Sequence, residues 1–143
     1  MTEERVLAVY IRGVKIYVVL QLGGPGLRID VGPVITTAAD EGGLADGIRQ
    51  GLEIEVSDEQ REMPNLRTYR SPVLSAAGVD SISKFEKGLT YITFRKTPER
   101  IEIQPYRCAP GGRGFQAHGK PRELPTNTSM LEIARAILRL AQE

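Results

Sequence analysis

The first part of the chain has the hydrophobic pattern of a β-hairpin followed by a third strand. Residues 6–11 and 14–22 are rich in β-branched and aromatic side chains, which favour extended backbone. Arg12-Gly13 lies between them and predicts a tight turn. Residues 27–31 then alternate apolar and polar side chains, which predicts a strand with one buried face.

A second pair of strands is predicted in the C-terminal half. Residues 89–94 and 100–106 alternate apolar and polar side chains in the same way. Residues 96–99, which include a proline, lie between them and predict a turn.

A helix is predicted at the end of the sequence. Residues 126–129 read Thr-Asn-Thr-Ser, and such side chains cap the free amides of a first helical turn. The apolar residues that follow recur at three- and four-residue spacing, so one stripe of the helix faces a core. These residues are Met130, Ile133, Ala134, Ile137, Leu138 and Ala141.

Another helix is predicted over residues 40–52. Leu44, Ile48 and Leu52 fall on one face of it. Four glycines weaken this helix, because a glycine inside a helix costs about 1 kcal/mol relative to alanine. They are Gly42, Gly43, Gly47 and Gly51.

The predicted elements together indicate an α+β fold, with a largely antiparallel sheet and helices packed on it. The order strand, strand, helix occurs twice, which is consistent with two related halves, although any two such units look alike at this level. Residues 79–85 are either a short helix or a connector, and residues 109–120 are rich in glycine and proline and predict a loop. We expect residues 1–143 to form a single domain.

Composition narrows the class of protein. Apolar residues make up 41% and charged residues 26% of the sequence, which is typical of a globular domain and not of a disordered chain. The net charge of +1 provides no overall attraction to nucleic acid or membranes. A single cysteine and an N-terminus without a long apolar run favour a cytoplasmic protein. No spacing of ligands suggests a metal site, and we expect no cofactor.

Candidate catalytic side chains are few. His118, the only histidine, lies in the predicted loop, and Cys108, the only cysteine, lies at the end of the strand before it. A small enzyme that uses these two side chains is one alternative, and it requires a pocket at that loop. A solvated loop histidine and a packed cysteine explain the same residues more simply.

Charged residues are unevenly distributed along the chain. Residues 40–62, the acidic segment, contain eight carboxylates and two arginines, whereas residues 83–122 contain nine basic side chains and three carboxylates. An acidic surface attracts and selects basic partners, although solvated faces that balance each other would give the same counts. The candidate binding residues are Asp40, Glu41, Asp46, Glu53, Glu55, Asp58, Glu59 and Glu62.

The last sixty or so residues carry a pattern of short motifs. A pair of alternating strands leads to a glycine- and phenylalanine-bearing loop (GGRGFQAHGK), then to residues 122–125 (RELP), and finally to a capped helix with residues 133–137 (IARAI). This region resembles the C-terminal part of one family of immunity proteins from bacterial contact-dependent growth inhibition systems. The family usually carries a glycine early in the final helix, where this chain has Ile133 or Ala134.

The resemblance implies a protein without enzymatic activity, whose partner is the C-terminal toxin domain of a large exported effector. Such a protein neutralises its cognate toxin in the producer's cytoplasm and contacts neither membrane nor nucleic acid directly. The toxins are very often nucleases, whose clefts are basic because they hold phosphates. The acidic segment would then dock over that cleft.

A small RNA-binding module is the other alternative. Tyr91, Phe94 and Tyr106 lie on predicted strands of the basic half, where they would act as stacking platforms for bases. However, the separation of Tyr91 and Phe94 is odd, so their side chains are expected on opposite faces of a regular strand.

Overall fold

The computed structural model describes residues 4–24, 27–56, 69–108 and 115–142. Within these ranges the chain forms seven strands, which are β1 (Arg5–Arg12), β2 (Lys15–Gly24), β3 (Leu27–Ala38), β4 (Leu89–Lys96), β5 (Ile101–Cys108), β6 (Phe115–Ala117) and β7 (Arg122–Leu124). It also forms four helices, which are α1 (Glu41–Glu53), α2 (Pro72–Ala77), α3 (Ile82–Phe85) and α4 (Met130–Ala141).

The seven described strands form one antiparallel sheet with β1 near its centre. The strand order is β3-β2-β1-β4-β5-β6, and β7 pairs with the same edge of β5 that β6 uses. The β1–β2 turn contains Gly13 and Val14, because Arg12 pairs directly with Lys15. The α+β prediction is therefore confirmed, and the turn lies one residue later than expected.

Two helices cover one side of the sheet, which we call the first face. Alternate residues of the central strands point to this face, including Leu7, Val9 and Phe94, all fully buried. The predicted stripes of α1 and α4 pack against them. Leu44 of α1 and Ile133 of α4 are both fully buried in this core. Burying one such side chain stabilises the fold by about 1.5–3 kcal/mol.

The helix over residues 41–53 packs unusually close to the sheet. A β-carbon at Gly51 would lie 2.9 Å from Leu7 Cδ1, and one at Gly47 would lie 3.1 Å from Val18 Cγ2. Gly47 and Gly51, which weaken the helix in isolation, therefore permit its close packing on the sheet. Asp40 caps its N-terminus, as Ser129 caps that of α4.

The opposite side of the sheet, the second face, is covered in part by two short helices. Val73 of α2 and Phe85 of α3 pack against Tyr10 and Tyr17. The sequence pattern predicts no helix at α2, because proline in a helix interior removes a hydrogen bond. Ser71 is instead the N-cap, and proline at the first helical position needs no hydrogen-bonded N–H.

Two further expectations differ from the structure. The strand predicted over residues 27–31 continues to Ala38, and its pairing with β2 shifts register at Val19/Leu20. This irregularity accommodates Pro33, which lies on an edge strand of the sheet. The loop predicted over residues 109–120 contains β6, which pairs with the free edge of β5, whereas residues 109–114 lie outside the described part of the chain.

Candidate functional site

The acidic segment provides the outer side of α1 and the residues next to it. Its apolar stripe faces the sheet, so the carboxylates at the other positions face outward. Five of the predicted residues are exposed, which are Asp40, Glu41, Asp46, Glu53 and Glu55. The other three lie outside the described residues, which are Asp58, Glu59 and Glu62.

Most of these carboxylates already have a partner within the protein. Arg49 lies between Asp46, 2.5 Å away, and Glu53, 3.4 Å away. Hydrogen bonds from Arg49 and then from Gln50 lower the pKa of Asp46 below its usual value. The outer face of α1 is therefore a row of alternating charges and not a bare negative surface.

The N-terminal end of the acidic face contributes to the fold as well. Asp40 Oδ1 accepts a hydrogen bond from the Gly43 N–H at 2.6 Å, which caps α1. Glu41 forms an ion pair with Arg135 of α4 at 3.0 Å. Because this pair joins the outer faces of α1 and α4, a partner that docks on α1 would also meet a basic side chain.

Some of the basic side chains of residues 83–122 are paired with carboxylates of the protein. Arg95 bonds to Glu4 at 2.8 Å and to Glu102 at 3.2 Å, and Arg100 bonds to Glu102 at 2.7 Å. The hydrogen bond from Arg100 is the main reason why the pKa of Glu102 lies below its usual value. Much of the basic half is thus neutralised by neighbouring carboxylates.

The second face contains a buried polar network that the sequence prediction missed. Asp30 on β3 is only 6% exposed. Its Oδ2 atom accepts hydrogen bonds from Tyr10 Oη at 2.7 Å and Ser71 Oγ at 2.6 Å, and its Oδ1 accepts one from Gln21 Nε2 at 2.8 Å. Three neutral donors therefore compensate for the burial of this carboxyl group.

Two more tyrosines extend the network. Tyr69 Oη donates a hydrogen bond to the Asp30 carbonyl oxygen at 2.7 Å, and Gln21 Nε2 donates to Tyr91 Oη at 2.8 Å. Burial first, and then the nearby Asp30, raise the pKa of Tyr10 well above its ordinary value and that of Tyr69 to about 12. Burial also raises the pKa of Tyr91. These hydroxyls therefore stay protonated at neutral pH and do not act as bases, and those of Tyr10 and Tyr69 donate hydrogen bonds to Asp30.

The network was missed because strand alternation put Asp30 on a solvent face. Residues 69–77 cover that face, as the bond from Ser71 shows. A sequence signal was nevertheless present, since aspartate is depleted in strand interiors and its neighbours Ile29 and Val31 are apolar.

Aromatic rings form a ladder across the second face. Tyr91 stacks on Tyr10 at 4.8 Å and on Tyr106 at 4.9 Å between ring centroids, and Phe115 meets Tyr91 edge-on. Phe94 is fully buried on the first face. The predicted separation of Tyr91 and Phe94 is therefore confirmed, and Phe94 is not available for base stacking.

Cys108 and His118 are not placed to act together. Cys108 pairs with Phe115 across β5 and β6, whereas the His118 N–H bonds to the Pro105 carbonyl at 2.9 Å. Three residues of a strand, about 10 Å, thus separate their backbones. A concavity of about 320 Å³ lies beside His118, which is exposed, and the Cys108 side chain lies outside the described part. A nucleophile and its base need hydrogen-bonding distance, which this register does not provide.

Metal binding and membrane crossing have no visible support in the described ranges. No group of three or more histidine, cysteine or carboxylate side chains lies close enough there to hold a metal ion. None of the described helices has both the length and the apolar character needed to cross a bilayer.

No protein-family model matches this chain, and no curated protein matches it. Two solved structures are similar to it over nearly their full length. One is a protein of unknown function, NMB0488, from Neisseria meningitidis, with a TM-score of 0.73, 16% identity, and coverage of 99% of this chain and 97% of that one. The other is a chain of a CdiA-CT/CdiI toxin and immunity complex from Yersinia pseudotuberculosis, with a TM-score of 0.68, 16% identity and the same coverage. At this identity the comparisons establish a shared fold, which is that of a chain in a toxin and immunity complex.

Proposed function

We propose that this protein is an immunity protein that binds and neutralises the C-terminal toxin domain of a contact-dependent growth inhibition effector. The observation that carries the proposal is the full-length structural similarity to a chain of a CdiA-CT/CdiI complex. The motif pattern of residues 89–137 resembles the immunity side of such pairs, which supports assigning this chain to that side.

The proposed mechanism is occlusion of the toxin and not catalysis. Enzymatic catalysis needs a nucleophile, base or metal held in a pocket. The described candidates are instead an isolated exposed histidine and tyrosines that remain protonated. A binding protein needs only a stable surface of complementary shape and charge.

The proposed docking surface is the outer side of α1 together with Glu55 and residues 58–62. Arg49 forms ion pairs with both Asp46 and Glu53. An arginine or lysine of the partner can therefore replace Arg49 at one of these two carboxylates. Of these groups, Asp46, Glu53 and Glu55 are described and exposed, so a partner can reach them without a change in the fold. We infer a basic, phosphate-binding toxin cleft as the complementary surface, and hence a nuclease toxin.

Recovery of the partner from the producing cell is the decisive experiment. The tagged protein is used to capture its partner from a producer lysate, and the bound material is identified by mass spectrometry. We expect the C-terminal domain of a large exported protein in equimolar amount, and its activity on RNA or DNA should stop when this protein is added back. Absence of any stoichiometric partner, with the protein remaining a monomer, would contradict the proposal.

Charge reversal then tests the docking surface. In Asp46→Lys/Glu53→Lys, four units of charge change on the outer side of α1, and we expect the association rate with the captured toxin to fall about tenfold or more at low salt. The measurement is surface plasmon resonance at two salt concentrations.

Asp80→Lys/Glu99→Lys is the matched control. It changes the charge by the same amount, but next to α3 on the second face and at the β4–β5 turn. If both double variants bind the toxin equally well, the docking surface lies elsewhere, while recovery of the toxin still supports the immunity role.

A further inference from the structure

A basic concavity lies at the end of the β1–β2 hairpin, well separated from α1. It has a volume of about 610 Å³, and three cationic side chains line it, which are Arg12, Lys15 and Lys87. They come from the end of β1, the start of β2 and the turn before β4. The hairpin residues Arg12 and Lys15 and the distant Lys87 thus line one concavity.

This arrangement of charge is unfavourable for the isolated fold. Arg12 and Lys15 are directly opposite each other in the β1–β2 pairing, and like charges in that relation destabilise a hairpin. No carboxylate lines the concavity, and within the described residues none of the three cations forms an ion pair. By contrast, Arg49, Arg95 and others are paired with carboxylates.

The concavity is also shaped to admit a ligand. The Arg12 guanidinium lies 5.9 Å from the centre of the Phe85 ring, which is buried and so holds the charge in place. Gly13 and Gly88 have positive φ angles of 62° and 67°, and nothing lies within 4 Å of where their β-carbons would be. The backbone of both turns is therefore open to close approach.

We propose that this concavity is an oxyanion site that binds the phosphate groups of a small phosphorylated ligand. A phosphate group carries close to two negative charges at neutral pH, whereas a carboxylate carries one, so phosphate better neutralises three cations. Lysines suit a phosphate as compact charges with rotatable donors, and an arginine adds a planar pair of donors.

The site is independent of the proposed toxin contact. Phe85 and Tyr17, which border it, belong to the second face, whereas α1 packs on the first face. Failure to bind phosphate would therefore leave the immunity proposal intact, and the reverse also holds.

Titration with pyrophosphate tests the site directly. Amide chemical shifts of the intact protein are followed by NMR in phosphate-free buffer, with sodium chloride and acetate at matched ionic strength in parallel. We expect saturable shifts centred on Gly13 and Gly88 with pyrophosphate and much weaker ones with acetate. Adenosine diphosphate in place of pyrophosphate tests whether the ligand is a free phosphate compound or a nucleotide. Equal affinity indicates a site for the phosphates alone, and tighter binding of adenosine diphosphate indicates a nucleotide site.

Two double variants provide the comparison. Lys15→Gln/Lys87→Gln should weaken pyrophosphate binding at least about tenfold, while the control Lys96→Gln/Arg107→Gln, which changes charge outside the concavity, should leave it unchanged. In phosphate-free buffer Lys15→Gln should unfold at the same or a higher temperature than the parent, because it removes a like-charge pair. Equal binding by both double variants, equal shifts with acetate, or shifts that follow ionic strength alone would overturn the proposal.

Discussion

At the scale of single residues, the buried carboxyl of Asp30 accepts hydrogen bonds from three side chains. Its three donors come from β1, β2 and the residue that caps α2, so one side chain joins three separate segments. Each donor left without an acceptor in the interior costs about 1–3 kcal/mol, which is more than the net contribution of the bond that it made.

Asp30→Ala should therefore lower the free energy of unfolding by about 3 kcal/mol or more, because it leaves several buried donors unsatisfied. Asp30→Asn keeps the shape and one acceptor oxygen, so its loss should be smaller, about 1–2 kcal/mol. Urea denaturation measures both, with the exposed Glu99→Ala as a control that should show no measurable loss. Equal stability of Asp30→Ala and the parent would mean that the network contributes nothing.

At the scale of elements, helix caps and close packing determine how α1 lies on the sheet. The start of α4 was predicted correctly from the capping side chains of residues 126–129, because capping depends on atoms within one turn. The start of α1 was predicted from its apolar stripe, and Asp40 caps it. Which glycines of α1 are needed could not be predicted, because that depends on how β1, β2 and the end of β3 lie against the helix.

Two adjacent glycines make this distinction testable. A β-carbon at Gly43 would lie 2.6 Å from the Ala38 carbonyl oxygen, whereas at Gly42 the nearest atom would be 3.8 Å away. Gly43→Ala should therefore destabilise the protein by about 1–3 kcal/mol through overpacking. Gly42→Ala should be neutral or stabilise it by up to about 1 kcal/mol through helix propensity. Thermal unfolding followed by circular dichroism compares them, and a stabilising Gly43→Ala would contradict the packing argument.

At the scale of the whole molecule, the tyrosines of the Asp30 network couple stability to alkaline pH. Tyr10, Tyr69 and Tyr91 have raised pKa values in the fold, so the unfolded chain loses its phenolic protons first as the pH rises. Stability from this source is fully present below pH about 10 and is lost as the pH rises through the folded values. For Tyr69 that value is about 12.

We expect the free energy of unfolding to fall steeply above pH about 10. If residues 1–143 form a single domain, we expect the protein to unfold in one cooperative transition. Tyr69→Phe should make this fall shallower, because one titrating hydroxyl is removed. Tyr106→Phe is the control, since its ring also lies in the ladder but its hydroxyl is outside the Asp30 network. A pH profile of Tyr69→Phe that parallels that of the parent would disprove the assignment.

The sequence alone determined the order and type of most elements. Strand alternation, the helical stripe of residues 130–141 and the capping side chains of residues 126–129 are short-range properties, so they were predicted directly from the sequence. The outward position of Glu41, Asp46 and Glu53 on α1 agrees with the same periodicity.

Only the tertiary structure decided which side chains meet. The pairing of Glu41 with Arg135, the bond of Ser71 to the buried Asp30 and the position of Lys87 beside Arg12 each join residues far apart in sequence. Such contacts depend on how the strands align and which helix covers each face, and hydrophobic periodicity specifies a buried face without naming its partner.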